Sequence, residues 1–393
     1  RSLPEEGEVL TFLDGMMNYL PDQPYFERFS HTAAQELNAM QVLGQVQHTN
    51  PDLLLDCTVF DAAEEQISTW ITTRLLEENT SATLKGHSIR QICEERSKTY
   101  FGAKPARQSQ YALLENACTV LEALHFIPAD GIDALAAQYK NGAWQVDTAY
   151  RKFYLNYGQI LRTPEMEKLQ ALVERVYTNY FLDPLAVRWC QSLASQLTTF
   201  QTERQTHFYS RNVSGTRERV VVFISDAMRY EVCQQLFEQL SMDAKCSAKL
   251  TPAVSTVPSY TQLGMAALLP HVSLELQPDG TVTILGRKTA GTAARESVLQ
   301  ATEKNSGCIQ FDQMQNMRRD ELRSYFSGKT VVYVYHNQID ARGDEARTEN
   351  EVFSACEEAV GELYKEIRRL TDSANIRHFI VTADHGFLYK HDP

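Results

Sequence analysis

The sequence predicts an α/β protein: a parallel-sheet domain in the second half of the chain, preceded by a mostly α-helical region. Three observations lead there. Short apolar, β-branched runs recur at Val220–Ile224, Thr330–Tyr335 and Arg377–Thr382, the pattern of strands buried on both faces. Segments with helical spacing separate them, as strand–helix–strand crossovers require. Polar, ligand-type residues follow each run directly, at the strand end where open parallel sheets bind ligands.

Composition narrows the class. The 393 residues fit two or three domains, and 43% hydrophobic with 22% charged residues is ordinary for a protein with buried cores. The net charge of −12 and the lack of a dense basic run argue against long non-specific nucleic-acid contacts as the main task. Acidity leaves a phosphate substrate open, because bound divalent metals can supply local positive charge. The eight cysteines are scattered without a CxxC pair, which points to a reducing compartment and away from a zinc–thiolate site. No signal peptide or long apolar run is present, and the chain starts at Arg1 rather than Met. The expectation is a fragment of a longer cytoplasmic protein.

Residues 1–211 read as helical. Apolar residues recur at helical spacing over Thr32–Gln47, Tyr111–Phe126, 143–162 and 164–203, with Asp183-Pro184 punctuating the last. No fixed-period repeat emerges, and His31, His48, His87 and His125 are dispersed, so no chemistry-bearing cluster is expected there. The polar stretch Asn212–Arg219 opens the second domain, residues 212–393. After the strand at Val220–Ile224 the reading continues as a helix (Arg229–Leu240), a strand (Ala244–Leu250), helices at Thr292–Thr302 and Arg319–Phe326, the strand Thr330–Tyr335, a long helix (Glu349–Leu370) and a last strand (Arg377–Thr382). Ser273–Leu285 holds a Pro-Asp-Gly turn between two alternating runs and predicts a hairpin insertion.

Four motifs carry chemistry. Asp226, in Ser225-Asp226-Ala227-Met228-Arg229, offers a carboxylate to a divalent cation, or caps the next helix. Thr256, in Ser255-Thr256-Val257-Pro258-Ser259, is a candidate nucleophile if its hydroxyl is activated, or a helix cap together with Ser259. His336 and Asp340 sit four residues apart, so one helical turn brings them together, and imidazole plus carboxylate suits Zn²⁺ or Mn²⁺. Asp344, another turn along, is a spare ligand or a partner to one. Asp384 and His385, followed by Gly386, form the most specific signal, a pair of metal donors at a strand end with a glycine to let the chain turn.

Taken in order, Asp226, the Thr of T-x-P, His/Asp and Asp-His-Gly resemble the alkaline phosphatase superfamily. The wording FISDAMRYE, STVPSYTQLG, YHNQIDARGD and VTADHGFLY resembles PglZ domains, in particular the type A of BREX phage-defence systems, over about Val220–Tyr389. The resemblance implies an alkaline-phosphatase-like domain truncated at its C-terminus, with two divalent metal ions, usually zinc with manganese as an alternative. Asp226, Asp384 and His385 would hold the metal that also contacts Thr256, and Thr256 would attack phosphorus to form a phosphothreonine. His336 and Asp340 would hold the second metal. Relative to the Asp-x-x-x-His order of nucleotide pyrophosphatases the pair is reversed, which leaves the pairing of His336, Asp340 and Asp344 open. A further downstream His ligand, usual in the superfamily, has no candidate except His391, which reads as a surface residue. Arg229 would touch phosphate or pair with an acid such as Glu231. The implied function is a metal-dependent phosphodiesterase or phosphatase, with nucleic acid among its candidate substrates, working with other BREX components such as the PglX methyltransferase. The alternative is a non-catalytic scaffold or regulatory subunit whose helical half is the binding platform.

Overall fold

A computed structural model describes residues 6–216, 218–343 and 351–388. The chain forms two compact units, one of Arg1–Ile127 with Gln145–Ala186, the other of Pro128–Trp144 with Val187–Pro393.

The first unit is helical apart from a two-residue ladder, Thr83–Leu84 against His87–Ser88. The single helix expected over 32–47 is two, Gln23–Glu36 and Ala39–Thr49, separated by Asn38 in the left-handed region (φ 51°). Asn tolerates that conformation because its side chain is short and polar. The helix Pro105–Leu121 runs into a 3₁₀ turn, Glu122–His125. Pro164–Val176 starts at a Thr163 side-chain cap, then passes through one π-turn (Tyr177–Leu182) into Asp183–Gln196. Pro184 does not end the path: Asp183 before it keeps helical angles (φ −63°, ψ −48°), and the helix that holds the proline follows directly on the π-turn.

The second unit holds a four-stranded, all-parallel sheet: β1 (Val220–Ser225), β2 (Ser306–Gln310), β3 (Val331–His336) and β4 (His378–Thr382), in the order β2-β3-β1-β4. Every residue of β1 and β3 is buried. Val220, Val222 and Ile224 join Tyr333, Tyr335, Leu263 and Ala266 in one core. Phe223 meets Phe311 and Phe379, at centroid distances of 6.3 and 6.4 Å. Each fully buried aliphatic or aromatic side chain contributes roughly 1.5–3 kcal/mol, so the core confines the sheet to one register. The crossovers include α1 (Tyr230–Met242), α2 (Thr261–Ala267), α3 (Thr292–Thr302) and α4 (Val352–Ala374). α4 buries Val352, Cys356, Ala359, Leu363, Ile367, Leu370 and Ala374 at three- and four-residue spacing and packs on α1 and on the helix Arg319–Phe326.

Two sequence expectations change here. Ala244–Leu250 forms no strand; it is irregular and mostly half-buried or exposed. Its alternation carries Lys245 and Lys249, and no neighbouring strand completes a ladder with it. The fourth strand is Ser306–Gln310, whose polar ends and Gly307 hide the signal. A Cβ on Gly307 would lie 2.8 Å from Lys329 Cε, a contact that the flexible lysine side chain would have to yield. The expected hairpin is present, Glu275–Leu276 against Val282–Ile284, with a third strand, Arg287–Lys288. All eight cysteines are free, and no described helix is long and apolar enough to cross a membrane.

Candidate metal centre

Because β1, β3 and β4 are parallel, their C-terminal ends share one edge of the sheet. Ile224 pairs with Tyr335 and with Thr382. Two residues on, Asp226 and Asp384 leave the sheet side by side. The ladder continues to the start of the site, since Asp226 N–H donates to the His336 carbonyl at 2.8 Å.

The chain after Asp226 turns through Ala227 in the left-handed region (φ 61°), a conformation that costs a non-glycine residue about 1–2 kcal/mol. The turn aims the Ala227 N–H at Asp384 Oδ1, 3.2 Å away. Asp226 does not cap α1, whose N-cap is Arg229 without a side-chain bond. Likewise neither Thr256 nor Ser259 caps α2, whose N-cap is Tyr260.

Asp226, Asp340 and His385 offer ligand atoms that all lie within 4.8 Å of one another, the one such group among the described residues. Asp384 adjoins it: His385 Nε2 is 3.5 Å from Asp226 Oδ1 and 3.4 Å from Asp384 Oδ2. Both oxygens are buried and make no hydrogen bond. The imidazole Nδ1 lies 2.9 Å from the Gly386 carbonyl, an acceptor, so Nδ1 carries a proton; Nε2 faces the carboxylates, with the Thr261 hydroxyl 3.0 Å away. Carboxylate and imidazole ligand atoms thus converge on one spot. Burial first, then the charges of Asp384 and Asp340, push the Asp226 carboxyl up to about 9, against the field of Arg295. Burial also raises Asp384. Such a buried set needs protons or a cation, and an Asp/Asp/His donor set suits a divalent metal.

The other predicted residues fall around this cluster. His336 is buried, but its Nδ1 sits 2.9 Å from Ser225 Oγ and its Nε2 3.1 Å from Glu362 Oε2 on α4. Both ring nitrogens thus have partners outside the Asp226–Asp340–His385 group, and Asp340 alone of the His336/Asp340 pair joins it. Thr256 is half-buried; its N–H and hydroxyl donate to Gln205 Oε1 at 3.1 and 3.3 Å. Arg229 stacks over the Phe387 ring, 5.3 Å from its centroid. Gly386 is not in the left-handed region; the sharp turn belongs to Ala227. Asp344 and His391 lie outside the described residues. Sequence reasoning missed Gln205, Thr261 and Gly264. Gly264 had a signal, as the glycine of a close helix approach: a Cβ there would lie 2.3 Å from the Asp384 carbonyl oxygen.

The sequence has counterparts among known proteins. Residues 208–393 match the family model of the BREX system PglZ alkaline phosphatase-like domain. The chain is 31% identical over 399 aligned residues to the "Alkaline phosphatase-like protein PglZ" of Bacillus cereus (strain H3081.97), covering 98% of this chain and 45% of that protein. It is 30% identical over 398 residues to the "Alkaline phosphatase-like protein BrxZ" of Escherichia coli O9:H4 (strain HS), covering 95% and 45%. The chain thus spans about half the length of the curated relatives it matches. The matched region contains the whole parallel sheet and every member of the carboxylate–imidazole cluster, so residues 208–393 of this chain are a PglZ alkaline phosphatase-like domain.

Proposed function

We propose that this chain carries the phosphoryl-transfer centre of a metal-dependent phosphodiesterase or phosphatase that serves BREX anti-phage defence together with other components of that system. The observation that carries the reading is the convergence of Asp226, Asp340 and His385, with Asp384 alongside, in which two buried carboxylate oxygens have no donor. Asp226, Asp384, His385 and Asp340 hold the cation in this reading, zinc or manganese by donor type. A divalent cation there supplies Lewis acidity, neutralising charge on a phosphoryl group's oxygens. The four protein groups hold the charge in a fixed place, so little reorganisation accompanies the reaction.

Thr256 is the nucleophile. Its Oγ1 forms the bond to phosphorus as the bond to the leaving alcohol breaks, its proton passing to solvent, and water then releases the phosphoryl group from Thr256. His336, hydrogen-bonded on both sides, braces the end of β3 beside Asp226 rather than ligating. Nucleic acid is the substrate we favour within a defence system. The net charge of −12 places the attraction for a phosphodiester in the metal site and not in a basic surface.

The test compares hydrolysis of bis(4-nitrophenyl) phosphate and 4-nitrophenyl phosphate with Zn²⁺ or Mn²⁺ and with chelator, for the parent and Thr256→Ala. Metal-dependent turnover that drops by at least about 10³-fold in the variant supports the reading, and the diester-to-monoester ratio names the bond cleaved. No turnover in either protein despite bound metal would favour a scaffold role instead.

A further inference from the structure

We infer that Gln205 is the positioning residue of the site: one buried amide that ties the Thr256 loop to the strand end bearing Asp384 and His385. The inference rests on the reading of Thr256 as the nucleophile. Gln205 lies just ahead of the matched region 208–393, in a short 3₁₀ turn, Gln205–His207. Its backbone is already tied to the Thr256 loop, since Gln205 N–H donates to the Val254 carbonyl at 3.0 Å and Val254 N–H to the Glu203 carbonyl at 2.8 Å.

The buried side chain then uses its whole hydrogen-bonding capacity. Oε1 accepts from the Thr256 N–H at 3.1 Å and the Thr256 hydroxyl at 3.3 Å. Nε2 donates to the carbonyls of Ala383 at 3.0 Å and Asp384 at 2.5 Å. An amide has two acceptor lone pairs and two N–H donors, and all four meet a partner. The orientation of the amide is dictated by those partners: two carbonyls can only accept, and the Thr256 N–H can only donate. The Thr256 hydroxyl must therefore donate to Oε1, which keeps its lone pairs off Gln205. At 3.3 Å this is the longest of the four bonds and a weak one, longer than is usual for a hydroxyl donor. It is the contact given up when Oγ1 loses its proton, while the other three still hold the loop against Asp384.

Gln205 thus sets where Thr256 stands relative to the donor set, and displacement of a reacting group by about 1 Å costs on the order of 10²-fold in rate. Gln205→Met keeps the length and removes all four bonds. Gln205→Glu keeps an acceptor for the Thr256 N–H, but meets the two carbonyls with an oxygen that can donate only when protonated.

The experiment measures kcat and KM for bis(4-nitrophenyl) phosphate at saturating Mn²⁺ for the parent, Gln205→Met, Gln205→Glu and Thr256→Ala, across pH. Amide hydrogen exchange of the metal-free proteins is followed over residues 251–260. We expect Gln205→Met to lower kcat about 10²-fold with KM changed less than about threefold, and exchange over 251–260 to quicken. The rate of Gln205→Glu relative to the parent should rise as pH falls and the introduced carboxyl regains a donor. If Gln205→Met does not fold, that relative pH profile carries the test. An active parent that is lost in Thr256→Ala but unchanged in Gln205→Met, or a flat relative profile for Gln205→Glu, would overturn the inference and leave the function standing. An inactive parent with metal bound would overturn both.

Discussion

At the scale of single residues, the site depends on a few close approaches that no conservative replacement keeps. Asp384 has its backbone carbonyl against Gly264 of α2 and its carboxylate on the Ala227 N–H. In Gly264→Ala the new Cβ would sit 2.3 Å from the Asp384 oxygen and 2.7 Å from its carbonyl carbon. Those neighbours are backbone, so the strand end must move. The expected cost is about 1–3 kcal/mol of stability. Divalent metal should also bind at least about tenfold more weakly, since 1.4 kcal/mol of lost ligand geometry is tenfold in affinity. Calorimetric titration of Mn²⁺ into the metal-free variant measures it, and parent-like affinity would show that Asp384 does not need this contact.

At the scale of elements, the first unit is tied together by a buried ion pair. The Glu64 carboxylate, in the helix Asp61–Leu76, receives Arg96 Nη2 at 2.5 Å and Nε at 3.1 Å from the helix Ile89–Arg96. It also accepts the Tyr111 hydroxyl from Pro105–Leu121 at 2.5 Å, and the Thr99 hydroxyl at 2.9 Å. Three helices thus converge on one carboxylate, and burial with that charge holds the Tyr111 phenol well above its usual range. Glu64→Gln leaves Arg96 buried without a counter-charge and should destabilise by roughly 3–5 kcal/mol in urea unfolding. Replacing both partners with apolar residues, Glu64→Leu with Arg96→Met, should recover most of that loss. A double variant as unstable as the single one would show that the hydrogen bonds matter more than the charge.

At the scale of the whole molecule, an acidic chain gathers three of its carboxylates, Asp226, Asp340 and Asp384, at one site, and pH reads out the consequence. In the metal-free protein Asp226 keeps its proton to about 9, whereas an unfolded Asp loses it near 4. Between those values the folded state binds the extra proton, so this group favours folding at low pH and that stability is lost as pH rises towards 9. A divalent cation replaces the proton, so metal binding should strengthen over the same range. The Tm in chelator should therefore fall from pH 6 to pH 9, while the gain on adding Mn²⁺ grows. In Asp226→Asn both trends should flatten. A Tm gain from metal that is constant across pH would mean that the cation binds away from this cluster.

The sequence by itself determined three of the four sheet strands, the helices between them and the two most telling donors. β-branched apolar runs are local signals, and with parallel pairing the residues just past Ile224 and Thr382 must share an edge. That put Asp226 and Asp384, 158 positions apart in number (384 − 226), at one edge of the sheet, and the tertiary structure decided that their strands are adjacent. The short strand Ser306–Gln310 was hidden because its glycine and polar ends carry little β-propensity, and 244–250 misled because alternation means nothing without a partner strand. Only the tertiary structure decided which of His336 and Asp340 faces the cluster. His336 is the last residue of β3 and is taken by Ser225 across the ladder and by Glu362 from α4, whereas Asp340 returns after a turn. Only the tertiary structure showed Gln205, which stands 51 residues from Thr256 and 179 from Asp384. Propensity and periodicity are properties of neighbours in the chain. The aim of a side chain is set by register and packing between segments that the chain keeps far apart.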